Sequence, residues 1–187
     1  MRIISGHLRG RTLKSVPGLS TRPTADRIRE SLFNILGTKP QGARVLDLFA
    51  GTGALGIEAI SRNAELAVFV ENAPRALSIL KENLQRFDLL QRSRILRWDI
   101  TKNLNCLKVY PRTFDLVFMD PPYSRHLIMP TLDHLRESGS LGPDALVIAE
   151  HSPAERIEEK EVGLSRIDER RYGRTQLTFL SVHAPEA

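Results

Sequence analysis

Cysteine and long apolar runs are what this sequence has least of. Cys106 is its only cysteine, so the chain can form neither an internal disulfide nor a cysteine-based zinc site. The five histidines are scattered without the spacing of metal ligands, and we expect no metal site. The sequence contains no run of about 18 apolar residues, so no transmembrane helix is predicted. Its first residues lack the apolar core of a signal peptide. These absences predict a cytoplasmic protein.

Positive charge is concentrated at the amino terminus. Residues 1–30 carry seven basic and two acidic side chains, which gives this segment a net charge of +5. The whole chain also has a net charge of +5, so the remaining residues are neutral overall. Such an asymmetry indicates a nucleic-acid partner, and a solvated basic tail is the alternative. Residues 2–16 alternate like a hairpin and residues 24–36 have helical periodicity, which favours a folded basic module. The expected RNA contacts are Arg9, Arg11, Lys14, Arg22, Arg27 and Arg29.

Apolar strands alternate with helical segments along the rest of the chain. Strands are expected at 44–49, 66–71, 93–98, 114–119, 144–150, 164–172 and 175–182, and helices at 24–36, 54–62, 73–87, 125–137 and near 153–160. Alternating β and α units imply an α/β protein with a mostly parallel sheet, here of seven strands. Only Gly173 and Arg174 separate the last two strands, so an antiparallel hairpin closes the sheet. We divide the chain into a basic module at 1–37 and a main domain at 38–187.

A proline-rich turn, Asp120-Pro121-Pro122-Tyr123, follows the apolar strand at 114–119. Two successive prolines cannot extend that strand, so the chain must turn at the strand end where open α/β sheets bind ligands. The Asp120 carboxylate and the Pro121 carbonyl can accept both N–H groups of a planar amino group. The Tyr123 ring can stack on the base that carries this group. The competing interpretation is a stiffened strand exit with a chance aspartate and tyrosine.

A glycine-rich segment joins the first strand to the following helix. Gly51, Gly53 and Gly56 match the pattern G-x-G-x-x-G, and an acid, Glu71, lies 20 residues after Gly51, so a nicotinamide dinucleotide site fits the glycines. Asp47, however, precedes Gly51 by only four residues, close to where a dinucleotide places its pyrophosphate. A carboxylate there better suits the ammonium group of S-adenosylmethionine. A dinucleotide site and a plain tight turn remain the alternatives.

Acidic residues recur at the ends of successive predicted strands. The Glu71 carboxylate can accept hydrogen bonds from both hydroxyl groups of a ribose, and Asp99 is placed to accept one from an adenine amino group. Singly, each would be an ordinary solvated strand end. Asp47, Glu71, Asp99 and Asp120 together are harder to explain in this way, because a doubly wound sheet places all four on one rim.

These motifs resemble the RsmD-type family of small-subunit ribosomal RNA guanine-N2 methyltransferases. The resemblance covers nearly the whole chain and rests on residues 47–53, Glu71, Asp99, residues 120–123, the amino-terminal TRPTADRIRESLFN at 21–34, and Tyr172-Gly173-x-Thr175. The amino-terminal segment discriminates best, since adenine-N6 methyltransferases share the D-P-P-Y motif. Asn63 replaces a glycine that is common in the family, at a helix end where asparagine tolerates a left-handed backbone.

The resemblance implies a Rossmann-like methyltransferase fold that uses S-adenosylmethionine and methylates a guanine N2 amine in small-subunit (16S) ribosomal RNA. It implies a monomer that acts on an assembling ribonucleoprotein, with neither membrane nor metal. The expected cofactor-binding residues are Asp47, Phe49, Gly51, Gly53, Glu71, Asn72, Asp99, Ile100 and Asp120. The expected catalytic residues are Asp120, Pro121 and Tyr123, and Tyr123 also contacts the RNA base.

Three other functions remain open from the sequence. An adenine-N6 methyltransferase acting on DNA or RNA could use the same D-P-P-Y turn, although so short a chain shows no separate target-recognition domain. A non-catalytic RNA-binding protein with a methyltransferase fold is disfavoured by the intact Asp120 and glycine loop. A nicotinamide oxidoreductase is disfavoured by Asp47 and by the antiparallel hairpin at the end of the sheet.

Overall fold

The computed structural model of the protein describes residues 1–16, 23–110, 113–122, 125–158 and 163–182. Two predicted site residues, Arg22 and Tyr123, lie outside these ranges. The helices are Pro23–Leu36 (α1), Ala54–Ser61 (α2), Pro74–Arg86 (α3) and Ile128–Glu137 (α4), with short 3-10 helices at Leu90–Arg92 and Asn105–Val109. The strands are Arg44–Leu48 (β1), Leu66–Glu71 (β2), Ser93–Arg97 (β3), Phe114–Met119 (β4), Leu141–His151 (β5), Ser165–Tyr172 (β6) and Thr175–Ser181 (β7). No helix in these ranges is long and apolar enough to cross a membrane.

All seven strands belong to one sheet, in the order β3-β2-β1-β4-β5-β7-β6. Strands β1 to β5 are parallel, and β7 is antiparallel to both β5 and β6. The predicted α/β sheet with an antiparallel edge hairpin is therefore confirmed. Connections leave β1 in opposite directions across the sheet, so β1 and β4 flank the switch point where such sheets bind ligands.

Two apolar clusters cover the two faces of the sheet. On the first face, α1, α2 and α3 pack over side chains that include Phe69 and Phe118, and the Phe33 ring of α1 lies 5.6 Å from that of Phe118. On the second face, α4 and the 3-10 helix at Asn105–Val109 cover residues such as Val117 and Met119. Because successive strand residues point to opposite faces, Phe118 and Met119 belong to different clusters.

The amino-terminal segment, residues 1–16, packs against α2 and α3. Glu58 of α2 is fully buried and accepts hydrogen bonds from the backbone amides of Ile4 at 2.8 Å and Ser5 at 3.0 Å. Its carboxylate also accepts from Arg62 Nε at 2.9 Å. The charge of Glu58 is thus compensated inside the protein, and its carboxylate anchors the start of the segment to α2.

The predicted hairpin at 2–16 is correct only in outline, since Arg2 and Thr12 form a single isolated bridge. Backbone hydrogen bonds also join the two arms, from the Ile3 amide to the Arg11 carbonyl at 2.9 Å and from the Gly10 amide to the Ile3 carbonyl at 2.8 Å. Amides nearer the tip bond to α2; Leu8, for example, donates to Ser61 Oγ at 3.0 Å. Ile3 and Leu8 lie in the same apolar cluster as α1 and the sheet. The two parts divided at residue 37 therefore share a core, and the division itself stays a prediction.

The helix expected near 153–160 is wrong for its described part. Residues 153–155 form a turn, and irregular chain follows to residue 158. The Ser152 carbonyl accepts a hydrogen bond from the Glu155 amide at 2.9 Å, and its hydroxyl accepts one from the Ala154 amide at 3.3 Å. Serine commonly closes such local turns in competition with a helix, and this competition explains the difference.

Candidate active site

The carboxyl ends of the parallel strands bring the predicted acids to one rim of the sheet. Asp47 is the fourth residue of β1 and Glu71 is the last of β2. Asp120 directly follows β4, and Asp99 comes two residues after β3. The rim therefore carries four carboxylates around the switch point between β1 and β4.

The glycine loop between β1 and α2 is shaped by two different requirements. Gly51 and Gly53 have φ angles of +56° and +85°, a region that L side chains rarely adopt. A Cβ atom on Gly53 would also lie 2.4 Å from Leu80 Cδ1, and one on Gly56 would lie 2.3 Å from the Phe69 ring. Gly56 thus allows α2 to pack closely on the sheet and Gly53 allows the close approach of α3, whereas Gly51 serves the turn.

Phe49 begins this loop with a strained backbone. Its φ angle is 59°, and the left-handed conformation costs an ordinary residue about 1–2 kcal/mol. The side chain packs against the second-face cluster and also borders the main cavity of the rim. Strain of this kind persists where surrounding packing imposes it, and it is common at ligand sites.

Asp47 lies beneath the loop and is only 2% exposed. Its Oδ2 accepts a hydrogen bond from the Gly56 amide at 2.9 Å. Burial raises the pKa of Asp47 to about 8; the Gly56 hydrogen bond opposes this shift, and the charge of Glu71 adds to it. A positively charged ligand group nearby would favour the ionised form of Asp47, which fits the ammonium group predicted from the sequence.

Glu71 connects the glycine loop to the start of α3. One carboxylate oxygen accepts from the Gly51 amide at 2.8 Å, and the other accepts from the amides of Asn72 and Ala73, both at 2.7 Å. An ionised carboxylate offers about four acceptor sites. The three amides use three of these sites, so Glu71 holds the loop and keeps about one site for a ribose hydroxyl group.

Asp99 is fixed by the residues that follow it. Its Oδ1 accepts hydrogen bonds from the Thr101 hydroxyl at 2.6 Å and the Thr101 amide at 3.2 Å. The hydroxyl bond, helped by the amide bond and the charge of Lys102 and opposed by some burial, lowers the pKa of Asp99. The carboxylate is therefore an ionised acceptor at neutral pH, as an adenine amino group would require.

A cavity of about 400 Å³ lies between these residues. Its wall includes five of the predicted cofactor residues: Phe49, Glu71, Asn72, Asp99 and Ile100. Gly51 and Gly53 lie in the adjoining glycine loop, and Asp47 lies on β1 beneath that loop. Apolar side chains beside two carboxylates suit a nucleoside, because the ring needs apolar surface and its polar edges need acceptors. The lining thus fits the adenosine part of S-adenosylmethionine.

Trp98 also lines this cavity and was not predicted from the sequence. Its Nε1 donates a hydrogen bond to the Asn103 carbonyl at 2.9 Å, which fixes the ring beside Asp99. The available signal was its position immediately before a predicted strand-end acid, where an aromatic ring can flank a bound base.

Asp120 stands beside a further acid, Glu150 of β5. Asp120 as a residue is exposed at the rim, whereas the next residue, Pro121, is buried. Protein packed around the Asp120 carboxylate, together with the charges of Glu150 and Asp47, raises the pKa of Asp120 well above its ordinary value. Glu150 was missed by sequence reasoning, although it ends the apolar run at 145–149 just as Asp120 ends β4.

The basic residues expected to bind RNA have different environments. Arg9, Arg11 and Arg27 are exposed. Lys14 is half-exposed, and its Nζ lies 2.6 Å from Glu82. Arg29 is only 5% exposed and donates to the Arg2 carbonyl. The predicted contact between Arg29 and RNA is therefore corrected: burial between α1 and the amino-terminal segment makes it a structural residue.

Among the described residues, no three His, Cys, Asp or Glu side chains are grouped to hold a metal ion.

Asn63, where the sequence departs from the usual glycine, has a left-handed φ of 71°. This angle agrees with the expectation that asparagine substitutes for glycine at the end of α2.

Known proteins resemble this chain over nearly its whole length. The family model described as Conserved hypothetical protein 95, which is the RsmD family, matches residues 1–181. The chain belongs to the RsmD family. The "Putative rRNA methyltransferase YlbH" of Bacillus subtilis is 38% identical over 175 residues, which cover 94% of this chain and 95% of the relative.

A curated sequence and a solved structure from Escherichia coli extend this comparison. The "Ribosomal RNA small subunit methyltransferase D" of strain K12 is 37% identical over 150 residues, covering 80% of this chain and 74% of the relative. The solved structure of "Putative methyltransferase yhhF" has a TM-score of 0.84 at 33% identity and covers 97% of both chains. The resemblance inferred from the sequence motifs is thus confirmed.

Proposed function

We propose that this protein methylates the N2 amine of a guanine in small-subunit ribosomal RNA, with S-adenosylmethionine as methyl donor. The observation that carries the proposal is the position of Asp120 and Pro121 at the sheet switch point, next to a nucleoside-sized cavity. RsmD-family relatives named as ribosomal RNA methyltransferases support the substrate class.

The cavity and the glycine loop would hold the methyl donor. When bound, S-adenosylmethionine supplies a methyl group on a positively charged sulfur. Glu71 would accept a hydrogen bond from a ribose hydroxyl, and Asp99 would accept one from the adenine amino group. Asp47, buried below the loop, would supply negative potential near the ammonium group. Each of these roles uses an acceptor that already has a defined place on the rim.

Asp120 and the Pro121 carbonyl would position the reacting amine. Guanine N2 is a poor nucleophile because its lone pair is conjugated with the ring. Two acceptors for its N–H groups would hold the amine so that the lone pair faces the methyl group, and positioning is then the main contribution. N2 becomes positively charged as it takes the methyl group, and Asp120 stabilises that charge. Its raised pKa makes Asp120 a better acceptor for the proton that N2 loses.

The target base must leave its stack to reach this turn, since a stacked base cannot enter the pocket. Tyr123, the last residue of the Asp120-Pro121-Pro122-Tyr123 motif, would stack on the extruded base. Arg9, Arg11, Lys14 and Arg27 would contact phosphates, with Arg22 assigned the same role from the sequence. We expect a monomeric cytoplasmic enzyme whose substrate is RNA within the assembling subunit.

Product analysis tests this proposal. The purified protein would be incubated with S-adenosylmethionine carrying a labelled methyl group and with small-subunit RNA, both naked and within partly assembled subunits. Nucleosides from the digested RNA would be separated by mass spectrometry. Labelled N2-methylguanosine is the expected product. Labelled N6-methyladenosine would replace this function with adenine methylation, and no transfer to either RNA would favour a non-catalytic RNA-binding protein.

Mapping of ribosomal RNA from cells that lack the gene would identify the nucleotide. One N2-methylguanosine should disappear from the small-subunit RNA and return when the wild-type gene is restored. An Asp120→Ala gene should fail to restore it. Unchanged methylation in the deletion strain would contradict the proposed substrate.

A further inference from the structure

We propose that Glu150 accepts the N1–H group of the target guanine and thereby selects guanine over bases whose N1 carries no hydrogen. This inference rests on the proposed function and deepens it. The sequence alone left guanine N2 and adenine N6 as alternatives, because the D-P-P-Y turn can hold either amino group. A second acceptor beside Asp120 would distinguish the two base edges.

Strand register places Glu150 next to Asp120. In the parallel pair of β4 and β5, Met119 lies opposite Ala149. The next residue along each of the two strands is Asp120 and Glu150, respectively. Neighbouring strands are about 4.8 Å apart. The Asp120 and Glu150 carboxylates therefore extend from adjacent strand ends, close enough for both to face one base edge.

The alternation of side chains places both carboxylates on the same face. Phe118 and Ile148, two residues before Asp120 and Glu150, pack in the first-face cluster with α1. Met119 and Ala149 pack in the second-face cluster. Glu150 is half-exposed, whereas Leu177, its partner on β7, is fully buried and apolar. The charge of Glu150 acts on Asp120 and raises its pKa, so the two carboxylates lie near each other.

The chemistry of guanine matches two adjacent acceptors. Its N2 amine and N1 present neighbouring N–H donors, and an ionised carboxylate only accepts hydrogen bonds. Adenine has an acceptor at N1, so a carboxylate beside its amino group would face an electron pair. A site built to accept a hydrogen bond from an N–H group discriminates against analogues without that group, because the acceptor then faces an electron pair in place of a donor.

Electrostatics gives the same answer. Two neighbouring carboxylates repel each other, and this repulsion contributes to the upward shift of the Asp120 pKa. Donor groups on the base, and the positive charge that develops on N2, would relieve that repulsion. Such like-charge pairs are common where a site must stabilise a cationic reacting group.

The alternative role for Glu150 is indirect: its charge would affect the reaction only through the pKa of Asp120. If Glu150 served merely to raise the pKa of Asp120, its loss would change the rate on every base by the same factor. Discrimination between bases with and without an N1 hydrogen separates these roles, because only direct contact depends on N1.

The test uses guanine and 2-aminopurine at the nucleotide that mapping identifies, introduced into small-subunit RNA by ligation. 2-Aminopurine keeps the N2 amine, but its N1 is an acceptor. Single-turnover methylation rates at subsaturating RNA would be measured for wild type, Glu150→Gln and Glu150→Asp. Glu137→Gln provides the control, because this exposed glutamate ends α4, just before the amino-terminal end of β5 and away from the rim.

Wild type and Glu137→Gln should methylate guanine about 100-fold faster than 2-aminopurine, as expected for one charge-assisted hydrogen bond. In Glu150→Gln the ratio should fall to about 10-fold or less, because the amide can donate to an unprotonated N1 as well as accept. Glu150→Asp keeps the charge and should retain more of the ratio than Glu150→Gln does.

A wild-type ratio that persists in Glu150→Gln, even with slower methylation of both bases, would overturn the inference and leave the proposed function standing. A folded wild-type protein that methylates no guanine would instead refute the proposed function, and the base-reading role with it. Normal thermal unfolding and S-adenosylmethionine binding by Glu150→Gln would establish that the variant is intact.

Discussion

Glu71 accepts a 2.8 Å hydrogen bond from the backbone amide of Gly51, so the acid predicted to bind the ribose also holds the glycine loop. Glu71→Ala should weaken S-adenosylmethionine binding by about 1–3 kcal/mol, the usual effect of losing charge-assisted hydrogen bonds. Calorimetry would measure the affinity, with Glu137→Ala as control. Tight binding of NADH and none of S-adenosylmethionine by the wild type would contradict the cofactor assignment.

Asp120→Ala should slow methylation far more than it weakens S-adenosylmethionine binding. The Asp120 carboxylate is expected to act mainly on charge that develops in the transition state, and such interactions raise the rate rather than the affinity. Single-turnover rates and calorimetry would be compared with those of Asp144→Ala, an exposed aspartate early in β5. Near-normal turnover of Asp120→Ala would exclude its catalytic role.

The buried Asp47 predicts how stability depends on pH. The folded protein keeps a proton on Asp47 up to about pH 8, whereas the ordinary pKa of an aspartate is 3.8. The folded state binds more protons between these values, so the free energy of unfolding should decrease as the pH rises from about 4 to about 8. The contribution is about 6 kcal/mol at most, at 1.36 kcal/mol per pKa unit.

Asp47→Asn should flatten this part of the pH profile, because the amide keeps an oxygen for the Gly56 hydrogen bond and does not ionise. The same variant should bind S-adenosylmethionine more weakly. Urea unfolding of wild type and variant at pH 5, 6, 7 and 8 would show the difference. Parallel profiles for the two proteins would mean that Asp47 is already ionised in the folded state.

Glu58→Ala should destabilise the protein by about 3–5 kcal/mol, the range measured when one partner of a buried ion pair is removed. It would leave Arg62 and the amides of Ile4 and Ser5 without their shared acceptor. Hydrogen exchange should accelerate most at residues 3–13. Glu65→Ala, a change at a more exposed acid beside Arg44, should leave that exchange unchanged. Equal exchange in both variants would show that the segment is held by apolar packing alone.

RNA affinity should fall steeply with salt, because binding to phosphates releases counterions. Replacing Arg9, Arg11 and Lys14 with Ala should weaken RNA binding and flatten the salt slope by about one unit for each phosphate interaction removed. S-adenosylmethionine affinity should stay nearly constant. The exposed residues Lys39, Lys81 and Lys108, changed together, provide a control of equal charge. An unchanged slope in the first variant would direct attention to Arg125, Arg170, Arg171 and Arg174.

Periodic and short-range features of this protein were readable from the sequence. The strands, the glycine turn and the rim acids follow from alternation, from left-handed glycines and from the topology of α/β sheets. The burial of Arg29 was not readable in this way, because its partner is a backbone carbonyl of Arg2, 27 residues earlier. The pairing of Asp120 with Glu150 likewise depends on the register between two strands, which no local pattern fixes.

The attachment of the amino-terminal segment also constrains the order in which the chain can fold. Its hydrogen bonds to Glu58 span 53 and 54 residues, that from the Lys14 amide to Asn83 spans 69, and that from Arg86 to Thr12 spans 74. Since synthesis proceeds from the amino terminus, residues 1–16 are made long before α2 and α3, which hold them. The most basic part of the protein therefore stays unattached to α2 and α3, next to the RNA of the translating ribosome, until the chain has grown well past residue 86.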